Sequence, residues 1–180
     1  FTGVIRGEQL RVRSPAIGNS YGACFCMSRR EVWHDDVFPP ADKHFPSEDV
    51  LINVRLSKYL KRVGIYNDCV YHYYLNPDSL SNAGTLWAMD LWEAFFDEMR
   101  TYLSESNLLD EATEHTIRVR EVEHLGFWVK DIDKQHPWYK KVMSYSTRTY
   151  PRKTRVLHAL LHCPPLLRWC IKMNRKRKNL

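Results

Sequence analysis

The sequence predicts an α/β unit followed by a helical C-terminal extension, helix-rich overall. Three observations carry this reading. Short apolar or Tyr/Val-rich runs at 21–27 (YGACFCM) and 65–75 (IYNDCVYHYYL) have the length of buried strands. Between them, Ser47 and Gly64 bracket a segment with helix-start and helix-stop chemistry. Beyond Gly84, Leu86, Met89, Trp92, Phe95, Phe96, Met99 and Leu103 recur at spacings of three and four, as on one face of a helix. The chain divides accordingly into 1–84, 85–147 and 148–180.

Residues 1–20, with three glycines, a proline and several charges, read as irregular. After the strand at 21–27, Ser28 can cap a short helix over Arg29–Trp33. Residues 35–46 hold three prolines and read as a loop. Ser47 is placed to cap a helix whose first turn carries Glu48 and Asp49, acids that suit the positive end of the helix dipole. That helix is expected to run to about Val63, with Gly64 at C′. A strand or pair of short strands follows to Leu75, and Asn76-Pro77-Asp78 stops it. The aromatic stripe of 86–103 reads as core. Residues 110–130 read as a second, more polar helix, and a third starts near Pro137. Pro164-Pro165 interrupts any helix in the last segment.

With 180 residues and 44% hydrophobic side chains the chain can bury a sizeable core and is not disordered. Aromatics at 13% suggest well-filled cores and a surface able to stack on sugars or sit at a membrane interface. No run of 18 apolar residues is present. Phe1 follows no initiator Met or signal peptide, so the sequence reads as a piece of something longer. Five Cys, with no CxxC pair and no zinc spacing, read as reduced, mostly buried thiols of a cytoplasmic protein. The net charge of +6 is uneven: 134–180 holds 13 Lys and Arg and no acid, whereas 1–133 holds 14 basic and 21 acidic residues. An acidic body with a basic tail implies an anionic partner for the tail.

Three segments resemble the bacterial family 2 glycosyltransferases. GNSYGACFCMSRREVWHDDVFP (18–39) is similar to the strand, short helix and "RFP"-like turn before that family's active site, with Val37 where Arg is common. SEDVLINVRLSKYLKRVGIYND (47–68) looks like the "ED" motif with its helix and following strand. VYHYYLNPDSLSN (70–82) resembles the closing "YxYR…SxS" element, with Tyr74 in place of Arg. The opening TGVIRGEQL is similar to the linker after the nucleotide-binding half. Order and spacing agree over about 80 residues, under half the chain.

The resemblance implies the C-terminal, acceptor-side part of a GT-A-type fold. It implies transfer of a sugar from a nucleotide-diphospho-sugar donor to a hydroxyl of a polysaccharide or lipid-linked acceptor, with inversion, in cell-envelope or exopolysaccharide synthesis. Asp49 is then the base that takes the acceptor proton, and Glu48 orients the acceptor or Asp49. The plainer reading is that both acids cap a helix. Mg²⁺ or Mn²⁺ on the donor phosphates is implied, held mainly by a DxD-bearing N-terminal half that this sequence lacks. Asp131-Ile132-Asp133 has the DxD form but follows a polar helix and reads as coincidence. His72 is a candidate third metal ligand or a core histidine. Ser79 and Ser81 are candidate diphosphate contacts or turn residues. Arg29 and Arg30 are candidate acceptor or phosphate contacts or solvated helix charges.

The tail 148–180 mixes ten basic residues with Leu, Val, Ile and Trp169. It suits the surface of an anionic membrane, which would place the protein in the cytoplasm or peripherally on the inner face of the cell membrane. Alternatively its leucines pack on the helical extension. No nucleic acid partner is expected, because no such motif is present and the body is acidic. The rival to an enzyme is a non-catalytic membrane- or partner-binding module. The piece alone is expected to be inactive.

Overall fold

The computed structural model describes residues 3–6, 29–40, 43, 45–65 and 88–178, with six α-helices among them. The helix-rich expectation holds. One small antiparallel pair is seen among the described residues: β1 (Gly3–Arg6) against β2 (Arg62–Ile65), with Val4 opposite Gly64 and Arg6 opposite Arg62. Residues 3–6 were expected to be irregular and instead form a strand, because β2 satisfies their backbone groups. The expected strand at 21–27 and all but Ile65 of that at 65–75 lie outside the described residues.

The helical part begins with α1 (Glu48–Leu56) and continues in α2 (Met89–Glu105). Trp92, Phe95, Phe96, Met99 and Leu103 of α2 are all buried, as their spacing requires. Asn107, in the left-handed region at φ 54°, ends this helix. The Asn107 amide donates to the Ser104 carbonyl at 3.0 Å and the Leu108 amide to the Leu103 carbonyl at 2.7 Å, a Schellman closure with Asn in the usual glycine place. The chain turns back at once. Asp110 accepts from the Thr113 amide at 2.7 Å and caps α3 (Glu111–Phe127).

α3 looks polar in sequence, yet Ile117, Val122 and Leu125 are buried and Glu121 is 0% exposed. The Glu121 carboxylate accepts from Arg100 Nη2 at 2.5 Å and Nη1 at 3.0 Å, from Trp138 Nε1 at 3.1 Å and from the Tyr145 hydroxyl at 2.6 Å. Arg100 also donates to Glu114 at 3.0 Å. Burial works against the charge on Arg100, but the two carboxylates outweigh it and hold the guanidinium above its ordinary pKa. Burial, reinforced by the Glu121 charge, pushes the Tyr145 hydroxyl up, so it stays a donor.

Pro137 opens α4 (Pro137–Met143), whose Trp138, Tyr139 and Val142 are buried. α5 (Arg152–Leu161) and α6 (Pro164–Lys178) complete the fold. The break falls at His162-Cys163, and the two prolines begin α6, where a missing amide proton costs nothing. Part of the tail does pack: Leu157, Leu161 and Leu167 belong to the main buried cluster, which also takes in Phe45, Leu51 and Val54. α5 crosses α3 closely at Gly126, where a Cβ would lie 2.7 Å from Leu157 side-chain carbons. Arg168 pins α6 to the end of α3 through the Gly126 and Val129 carbonyls. Cys163 and Cys170 are free; Cys163 is exposed in the α5–α6 turn and Cys170 is half-buried, and the other three thiols, expected with these to be mostly buried, lie outside the described residues.

Two outcomes follow from this core. Glu121→Ala leaves the Trp138 indole N–H buried without its acceptor and Arg100 with Glu114 as its remaining hydrogen-bonded carboxylate, and is expected to cost about 3 kcal/mol in urea unfolding. His124 lies beside Trp92 and Phe96, with ring centroids 4.4 and 5.3 Å away, and its Nδ1 donates to the Arg120 carbonyl at 2.9 Å. Burial pushes its pKa down to about 4, so the folded imidazole is neutral where the unfolded one is protonated. Stability is therefore expected to fall by roughly 1 kcal/mol per pH unit between pH ~6.5 and ~4. A His124→Gln variant, unfolded in urea across that range, should show a flatter dependence than the natural protein.

Candidate functional site

The carboxylate pair singled out by sequence stands at the head of α1. Phe45 and Pro46 are buried just before it, and Ser47 takes φ 59° and ψ 47°, the left-handed region. For a residue with a Cβ this costs about 1 kcal/mol or more. Ser47 occupies the N-cap position, as expected, but its hydroxyl makes no capping bond. The Val50 amide instead donates to the Ser47 carbonyl at 2.9 Å and to Asp49 Oδ1 at 2.9 Å. Asp49 is half-buried, whereas Glu48 is exposed. Burial, then the charge of Glu48, raises the Asp49 pKa above the ordinary carboxylate value, and the amides of Val50 and Asp49 only partly offset this.

What fixes this turn lies at the C-terminal end of the helix. Arg55 is 5% exposed, and its guanidinium donates to Glu98 Oε1 on α2 at 2.6 Å and to the carbonyls of Phe38 at 2.7 Å and Asp36 at 3.2 Å. It also lies 4.8 Å from the Tyr102 ring centroid. One cation thus ties α1, α2 and the 3₁₀ turn Asp35–Val37 together. Asp36 accepts from the Tyr59 hydroxyl at 2.6 Å and from Lys58 Nζ at 3.1 Å. The Tyr59 bond and the Lys58 charge hold the Asp36 carboxyl below its usual range, against desolvation. These bonds explain a correction. The helix was expected to reach Val63 but ends at Leu56, because Lys58 and Tyr59 turn back to Asp36 and Val63-Gly64 pair in β2. Gly64 is thus a strand residue and not a C′ residue.

Arg29 and Arg30 are exposed at the start of the 3₁₀ turn Arg30–Val32, a shorter element than the helix expected over 29–33. His72, Ser79 and Ser81 lie outside the described residues. Sequence reasoning missed Asp36, Arg55, Tyr59 and Glu98. A signal for Arg55 exists: it stands one turn after Leu51, on the apolar side of its helix.

Among the described residues, Asp90, Glu93 and His136 form a three-ligand group, which takes no residue from α1 or the turn before it. His136 Nδ1 accepts from the Trp138 amide at 3.1 Å as the N-cap of α4, which leaves the proton on Nε2, 2.8 Å from Asp90 Oδ1. An ion at Nδ1 would break the cap, and one at Nε2 would displace the proton that Asp90 accepts. The three ligand atoms lie within 4.8 Å of one another, so an ion could be held here only at the cost of one of these hydrogen bonds. Asp133 of the DxD-like sequence accepts from the Gln135 amide at 2.8 Å in an ordinary turn.

Comparison with protein families, with curated proteins and with solved structures finds no match for this chain.

The environment of Asp49 disfavours its charge, so its role in stability can be tested. Asp49→Asn at pH 7 is expected to leave the urea midpoint unchanged or raise it. A loss of about 1 kcal/mol would mark Asp49 as an acid whose charge serves the helix dipole.

Proposed function

We propose that this chain is the acceptor-side part of a family 2-type glycosyltransferase and that Asp49 is its general base. The carrying observation is the ED turn. A half-buried carboxylate with a raised pKa stands behind a left-handed Ser47, and Arg55 anchors the helix that bears it. A strained residue beside a poorly solvated acid is an arrangement that folding stability alone does not select. In this reading Asp49 takes the proton of the acceptor hydroxyl as that oxygen attacks the anomeric carbon and the nucleoside diphosphate leaves. Glu48, exposed next to it, raises Asp49's basicity by charge and offers a hydrogen-bond acceptor to the sugar. Exposed Phe38, its ring 5.7 Å from that of Trp33, offers an apolar face of the kind on which sugars stack. The donor, and any Mg²⁺ or Mn²⁺ on its phosphates, would be held by residues other than the described ones.

The test uses the complete enzyme that contains this segment, supplied with nucleotide sugars and hydroxyl acceptors. Asp49→Asn should lower the transfer rate by a factor of about 10²–10⁴ with donor binding retained. Because the base must be ionised, kcat/KM should fall as the pH drops through the raised Asp49 pKa. Glu48→Gln removes the neighbouring charge and should move that acid limb to lower pH. Natural turnover in Asp49→Asn, or an acid limb indifferent to Glu48→Gln, would refute the assignment.

A further inference from the structure

We propose that the outward face of α6 is a docking surface for an anionic lipid bilayer. Four of the six large apolar side chains that stand exposed among the described residues lie on α5 and α6: Val156, Leu166, Trp169 and Met173. On α6 the last three fall at i, i+3 and i+7, which places them on one side of the helix. The other side is already used. Leu167 is 1% exposed in the core, Ile171 packs against that core, and Arg168 holds the Gly126 and Val129 carbonyls. α6 is therefore apolar on two opposite faces, and the protein covers only one. Trp169, at 59% exposure, is the most exposed of the large apolar side chains among the described residues.

The charge carried by the α5–α6 pair selects the occupant. Lys172 follows Trp169 by one turn and is exposed, and α5, packed beside α6, adds exposed Arg152, Lys153 and Arg155. The sequence of α6 ends in Arg175-Lys176-Arg177-Lys178, and no Asp or Glu occurs after Asp133. A second copy would bring like charge against like charge. A nucleic acid would pair with the cations but leave leucine and methionine in water. A bilayer with anionic headgroups satisfies both, with Trp at the headgroup level and cations above it. The helix is about 22 Å long at 1.5 Å per residue, too short to span a hydrocarbon core of about 30 Å, and no described helix is apolar enough to cross. It would lie in the plane of the surface. The face is preformed, since the core and Arg168 fix α6 before any lipid arrives, and it stands independently of the sugar-transfer reading.

The experiment is co-sedimentation of the chain with vesicles of phosphatidylcholine alone or mixed with phosphatidylglycerol. Binding is expected to the anionic vesicles, weakening with added salt. The exposed substitutions Leu166→Ser, Trp169→Ser and Met173→Ser together should abolish it without unfolding the protein, which circular dichroism checks. Arg152→Gln, Arg155→Gln and Lys172→Gln together should weaken it by about a hundredfold. Trp169→Phe should keep binding but lose most of the quenching of Trp fluorescence by brominated lipid. Four results would overturn the proposal: no binding at low salt, equal binding to both vesicles, full binding by the triple serine variant, or a dimer in solution that this variant dissolves. Tighter binding to duplex DNA than to vesicles would assign the cations to nucleic acid instead.

Discussion

The carboxylate of Glu121 is where α2, α3, α4 and the turn after α4 meet. It is fully buried among Arg100, Trp138 and Tyr145, each of which donates to it. An isolated charge there would be prohibitive, and an isolated Arg100 nearly as bad. Together they are tolerable only when the helices stand at one register, because slipping any helix by a turn would leave a buried ion without its partner. The aromatic packing of Trp92, Phe95, Phe96 and Trp138 supplies the driving force for burial. The ion pair selects which of the ways of burying those rings is adopted.

A second cation does for the ED turn what Arg100 does for the bundle. Arg55 joins α1 to Glu98 of α2 and to the carbonyls of Asp36 and Phe38. The head of α1 is thus referenced to the rigid α2. This permits Ser47 to be held left-handed and Asp49 to remain half-buried with its charge disfavoured. The two features are locally unfavourable, and the anchoring interactions lie at the other end of the same helix. The α5–α6 pair is tied to the bundle in the same manner, through Gly126, Leu157 and Arg168. The whole described helical part therefore presents the ED turn and the outward face of α6 from one connected core.

Apolar spacing made α2 legible, and proline chemistry made the start of α4 and the break before Pro164 legible, because both act over a few residues. The polar helix read over 110–130 is present as α3, capped by Asp110. Asp49 could be singled out as an acid at a helix start, and its neighbourhood resembles the ED motif. Local reasoning overran α1 by about two turns, since the end of that helix depends on Lys58 and Tyr59 reaching Asp36, more than twenty residues away. It also missed β1, whose partner lies some sixty residues on.

The sequence by itself determined where helices could form, which stripe of α2 must be buried, and that the last 47 residues carry only positive charge. These follow from spacing and composition, which need no knowledge of what lies across the core. Only the tertiary structure decided that Glu121 and Arg55 are interior ions, because a charge is buried only where partners from other elements converge on it. It also decided that the leucines of the tail divide: Leu157, Leu161 and Leu167 go to the core, and Leu166 faces outward with Trp169. Both groups are apolar and closely spaced in sequence. Which group is covered depends on where α3 lies, and that is a property of the packed bundle.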